Sequence, residues 1–100
     1  MVKHIIIWTL KDCYDASQKA EIAKNIKLNV EGLKDKIEGI VDIKVQTEHL
    51  PSSKGDLMLD STFVSEAALK AYAINSEHVE VANRDVKPFV ASRSCLDFEI

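Results

Sequence analysis

The stretch "VKHIIIWTL", residues 2–10, decides the fold. Ile5, Ile6, Ile7 and Trp8 are β-branched or aromatic, the types that fit a pleated surface. Both alternate faces carry apolar groups, which predicts a central strand covered on both sides. His4 shares one of those faces with Val2, Ile6 and Trp8, because side chains two apart point the same way.

Downstream of this strand, Asp15 offers a helix N-cap with Gln18 three positions on, a capping-box spacing. Ala23, Ile26, Val30, Leu33 and Ile37 recur every three or four residues, so the pattern predicts one amphipathic helix running to Gly39. Gly32 inside it costs about 1 kcal/mol relative to Ala unless close packing requires it. Val41, Ile43, Val45 and Thr47 alternate with polar residues and predict a second strand. "LPSSKGD", residues 50–56, is a loop, and residues 56–64 read as a third strand. Ser65 caps a second helix carrying Leu69 and Tyr72. Helical structure resumes after Ser76 with Val79, Ala82, Val86 and Phe89, and Pro88, lacking an amide donor, kinks or ends it. Leu96, Phe98 and Ile100 alternate in a final strand.

The order is β-α-β-β-α-β, a ferredoxin-like α+β fold with a four-stranded antiparallel sheet. Right-handed crossovers put the helical segments on one face. The other face, with its isoleucines, is then an apolar patch of the kind soluble monomers avoid. A homodimer with two sheets facing each other covers it.

The 100 residues suit one domain, residues 1–100. An apolar fraction of 46% with 29% charged residues predicts a folded chain rather than a disordered one. A formal net charge of −3 predicts no general affinity for nucleic acid or for an anionic membrane. No apolar run approaches the ~20 residues of a spanning helix, and Ile5–Trp8 is too short for a signal-peptide core. The reading is a cytoplasmic protein. Cys13 and Cys95 read as free thiols without metal-ligand spacing. Strands one and four being neighbours, both thiols are expected at one end of the sheet. His4, His49 and His78 suggest no metal site, and no cofactor motif is present. His49 is expected in solvent. Asp42, Asp60, Asp97 and Glu99 read as a solvated or barrel-facing polar set.

The candidate chemistry lies in "YAINSEHVEV", residues 72–81. On one helix, residues six apart point roughly 120° away from each other. A break at Asn75–Ser76, with Ser76 as N-cap, lets Tyr72 and His78 aim at one place. His78 then sits in a first helical turn, where the helix dipole disfavours imidazolium and keeps a neutral base. Its plain alternative is a cap or a bond to a backbone carbonyl. Tyr72 is either a proton donor to a carbonyl oxygen or a core residue with its hydroxyl at the rim. His4 is either a satisfied core histidine or a polar group of the same pocket.

"VKHIIIWTLKD", "DLMLDSTFVSEAALKAY", "EHVEV" and "DFE" together resemble the stress-responsive α/β-barrel domain family over nearly the whole chain. The resemblance implies a homodimeric barrel with helices outside. Many members have no assigned activity. One plant branch of polyketide cyclases closes a ring by aldol chemistry, with a Tyr and a His matching Tyr72 and His78 as the catalytic pair and a His matching His4 in the same pocket. The chain departs from the family at Asn75–Ser76, where members often carry His-Pro. The resemblance thus implies a pocket for a small apolar or phenolic ligand, with an aldol or lyase reaction as one alternative. Monooxygenases of the wider dimeric ferredoxin-like group supply another: His78 would be a haem ligand, but the companion Asn and Trp of the haem-degrading members have no counterpart here.

Overall fold

The computed structural model describes residues 1–100. The strands are β1 (Val2–Leu10), β2 (Ile40–Gln46), β3 (Leu57–Phe63) and β4 (Val90–Glu99). The helices are α1 (Ala16–Glu31), α2 (Glu66–Ile74) and α3 (Ser76–Val81). The sheet runs β2-β3-β1-β4, and every neighbouring pair is antiparallel. β1 is therefore central, as its apolar character requires, and β2 and β4 are the edges.

β1 is covered by its own chain on one face only. Val2, His4, Ile6, Trp8 and Leu10 are buried under the helices. Ile26, Val30, Leu33 and Ile37 come down on them from the α1 segment, and Leu57, Leu59 and Phe63 join from β3. Sealing a side chain the size of Phe63 or Leu33 stabilises the fold by roughly 1.5–3 kcal/mol. On the opposite face the register aligns Lys3, Ile5 and Ile7 with Thr62, Asp60 and Met58 on one side and with Phe98, Leu96 and Ser94 on the other. There Ile7 is 44%, Leu96 64% and Phe98 41% exposed. The expectation of a strand covered on both sides thus holds for one face within a single chain.

Several boundaries differ from the sequence reading. The capping box forms as expected: Gln18 N–H donates to the Asp15 side chain at 2.8 Å and Asp15 N–H to the Gln18 side chain at 2.9 Å. The α-helix, however, stops at Glu31, and Gly32–Asp35 tighten into a 3-10 turn. A Cβ on Gly32 would meet nothing within 4 Å, so close packing does not explain that glycine. Gly39 is a position that does need one. Its φ is +91°, and a Cβ there would lie 2.7 Å from the Cβ of Ala68. The last strand begins at Val90, earlier than its apolar alternation suggests, because Val90–Glu99 is an exposed edge where polar residues are free to enter. Cys95 stands opposite Ile6 in mid-strand, whereas Cys13 lies past the end of β1. The two thiols are free and exposed, and the expectation that they share one end of the sheet fails. No helix is long and apolar enough to cross a membrane.

Candidate functional site

The break between α2 and α3 comes from one residue. Asn75, at φ −64° and ψ 133°, is extended, so the helix cannot run through it. It closes α2, its N–H donating to the Tyr72 carbonyl at 3.1 Å, and opens α3, its side-chain oxygen accepting from Glu77 N–H at 2.9 Å. The cap is thus Asn75 rather than Ser76, one position earlier than expected. His78 still falls in the first turn of the new helix. After Val81 the chain widens to a π-helical turn, Ala82–Val86, a geometry frequent beside functional sites. Phe89 N–H then bonds the Val86 carbonyl at 3.1 Å and the chain enters β4.

The turn brings Tyr72 and His78 together. Their rings stack with centroids 4.2 Å apart at 35°. His4 meets the Tyr72 ring edge-on at 6.3 Å, and Phe63 backs Tyr72 at 4.9 Å. All three predicted residues line one cavity of about 570 Å³ between the sheet and the α2–α3 segment. Ile6, Trp8, Leu59 and Leu69 supply its apolar wall.

Hydrogen bonds fix the ring tautomers. His78 Nδ1 lies 3.2 Å from the Ala73 carbonyl, which only accepts, so Nδ1 carries the proton and Nε2 keeps a lone pair. His4 Nδ1 donates to the Asp97 carboxylate at 2.5 Å, which likewise leaves Nε2 as its second nitrogen. The pKa of His78 lies below its ordinary value of 6.5. Burial is the main cause, the charges of His4, Lys87 and Arg93 act in the same direction, and the bond to Ala73 opposes them. The neutral base expected from the helix dipole is therefore kept neutral chiefly by desolvation. Burial pushes the Tyr72 hydroxyl up to about 12, against the pull of Arg93. At neutral pH the site holds a neutral imidazole and a protonated phenol. That pairing can accept a proton from a carbon acid and donate a hydrogen bond to an oxygen gaining charge.

Asp97, Arg93 and Lys87 belong to this neighbourhood and were not singled out by sequence. Asp97, read as part of a solvated or barrel-facing polar set, anchors His4; the antiparallel register of β1 and β4, which pairs their positions, is what identifies it. Cys95 lies 3.5 Å from Asp97 Oδ1 and 3.9 Å from His4 Nδ1, and the donor atoms of the three residues fall within 4.8 Å of one another. They are the one trio close enough to share a metal ion, although the His4–Asp97 bond already accounts for two of its members. His49 stands apart in the loop, exposed, its ring 3.1 Å from the Leu50 carbonyl and 3.8 Å from Asp56.

A family model described as the stress responsive A/B barrel domain matches residues 2–100. The chain belongs to that family. Among solved structures, it is similar to a dimeric ferredoxin-like protein of unknown function from Bacteroides fragilis, with 31% identity, a TM-score of 0.90 and coverage of 99% of this chain and 95% of that one. It is also similar in fold to the hydroxynitrile lyase of Passiflora edulis, at 19% identity and TM-score 0.80, covering 99% and 92% of the two chains. A putative antibiotic biosynthesis monooxygenase from Nitrosomonas europaea follows at 11% identity and TM-score 0.75, covering 100% and 98%. At the identities of the last two, the likeness concerns the fold alone. No curated protein matches the chain in sequence.

Proposed function

We propose that the protein is a homodimer whose cavity binds a small apolar or phenolic molecule and performs proton transfer next to a carbonyl group. The observation that carries this reading is that His78, its Nδ1 held by the Ala73 carbonyl, and Tyr72 line one largely apolar cavity with their rings in contact. His78 Nε2 takes a proton from the carbon beside the carbonyl, and the C–H electron pair moves onto the carbonyl oxygen. The Tyr72 hydroxyl holds that oxygen by a hydrogen bond; with a pKa of about 12 it donates without losing its own proton. The enolate carbon then attacks a second carbonyl carbon, a C–C bond forms, and the new alkoxide recovers the proton from His78. His4, anchored by Asp97, brings a second imidazole to the same cavity. This is aldol or, run backwards, lyase chemistry. The dimer reading is supported by the exposed isoleucine-bearing sheet face and by the dimeric description of similar ferredoxin-like proteins.

The test is deuterium exchange at the α-carbon of acetophenone in heavy water, followed by NMR. The wild-type protein is expected to exceed buffer, and His78→Ala and Tyr72→Phe to lose at least ~100-fold of that excess. Exchange at the buffer rate with wild-type protein would count against the acid–base reading.

A further inference from the structure

The cavity between the sheet and the α2–α3 segment carries charge as well as rings. Twelve of its seventeen lining residues are hydrophobic, and none is Asp or Glu. Its only permanently charged members are Lys87 and Arg93. Lys87 follows the π-helical turn and Arg93 stands on β4 opposite Trp8, so the cations come from two different elements. Neither takes part in any of the chain's salt bridges: the other cations near acids, such as Lys3 with Asp60 and Arg84 with Asp85, are paired. The nearest carboxylate of β4, Asp97, is engaged by His4. Asp85, buried within the π-helical turn, accepts from Arg84 and Asn25. Two cations outside any salt bridge thus border an apolar chamber lined by no acid, and Arg93 also lies beside Cys95 and borders the neighbouring hollow that Glu66, Asp97 and Glu99 line. The field they set up is felt at both ring groups: it helps lower the pKa of His78, and Arg93 also acts on the Tyr72 phenol.

We infer that the cavity selects an organic anion, a molecule with an apolar or aromatic body and a carboxylate that Arg93 and Lys87 hold at the rim. This rests on the reading of the cavity as a small-molecule site and adds the charge of the molecule it takes. Arg93 is the stronger partner, since its planar fork matches a carboxylate with two parallel hydrogen bonds. Lys87 adds a point charge. The apolar body then lies against Ile6, Trp8 and Leu59, and the far end reaches Tyr72 and His78. A neutral molecule of the same shape gains the apolar contacts and forgoes the charge-assisted bonds.

Calorimetric titration with 2-naphthoate, its methyl ester and 2-naphthol, at a pH of about 7.5 where the acid is ionised, tests this. Wild-type protein is expected to bind naphthoate at least ~10-fold more tightly than the ester or the naphthol, a preference that added salt weakens. In the Arg93→Gln, Lys87→Gln double variant that preference should shrink to about 2-fold or less with 2-naphthol affinity retained. Both residues are exposed, so the variant keeps the core intact. Equal binding of all three probes by wild type would overturn the anion inference and leave the small-molecule cavity standing. Binding of none of them would overturn both. A naphthoate preference that survives in the double variant would show that other groups hold the anion, and would overturn the assignment to Arg93 and Lys87.

Discussion

At the scale of single residues, the His78 ring does two jobs with two nitrogens. Nδ1 is spent on the Ala73 carbonyl, and Nε2 is left for the cavity. Because its folded pKa is below 6.5, the stability linked to this residue is present above pH 6.5 and is lost as pH falls through the folded value. His78→Gln should therefore show a shallower loss of stability on acidification than the wild type in urea titrations across that window. Coincident slopes would mean that the ring protonates without cost. Tyr72→Phe is expected to change stability by less than about 1 kcal/mol, because the phenyl ring keeps its packing against Phe63 and His78 and the hydroxyl bonds to no other group of the protein. A thermal melt checks that, and makes any loss of exchange activity attributable to the missing oxygen. Sequence raises Tyr72, His78 and His4 as candidates, through the break at Asn75–Ser76, the apolar face that His4 shares and the family resemblance. It does not identify Asp97, Arg93 or Lys87, because charged residues on an edge strand and after a helix look like any solvated surface until the strand register is known.

At the scale of elements, the site depends on a cap and a turn. Asn75→Ala removes the side-chain acceptor of Glu77 N–H and should cost ~0.5–2 kcal/mol. It should also weaken ligand binding, since α3 would no longer be pinned at its start. Asn75→Asp, which keeps the acceptor, should restore most of both in the same melts and titrations. Gly39→Ala addresses a different junction: φ of +91° and a 2.7 Å approach to Ala68 combine backbone strain with a clash, so a loss of ~1–3 kcal/mol is expected in chemical denaturation. A substitution there that proves neutral would mean that the β2 entry shifts readily. The helical periodicity of residues 23–37 and the capping box at Asp15 were legible from apolar spacing and cap chemistry. The switch from α to 3-10 at Gly32 was not, because Leu33 and Ile37 remain buried either way and keep the same three-or-four spacing. β4 was half legible for the opposite reason: its first residues face water, and an exposed edge leaves no apolar rhythm.

At the scale of the whole molecule, the proposed dimer is formed through the sheet face that the helices leave bare. Ile7, Leu96 and Phe98 form a surface that one chain leaves in water. Analytical ultracentrifugation at micromolar concentration should give about twice the 11.2 kDa of one chain, and a double Ile7→Glu, Phe98→Arg variant should sediment as one chain. A wild-type monomer would remove the dimer from the proposal. The β-α-β-β-α-β order made the unshielded face legible before any coordinates, since crossovers of one hand leave a sheet bare on one side. β1 carries a further consequence. Its even-numbered positions His4, Ile6 and Trp8 line the cavity, while its odd-numbered positions Lys3, Ile5 and Ile7 form the opposite surface. Under the proposed function, neighbouring codons of one short strand answer to separate selection, one set for the molecule the cavity takes and the other for the copy the sheet meets. A lineage can rewrite either set letter by letter while the other stays fixed, which gives a fold of this kind room to change its chemistry without changing its assembly.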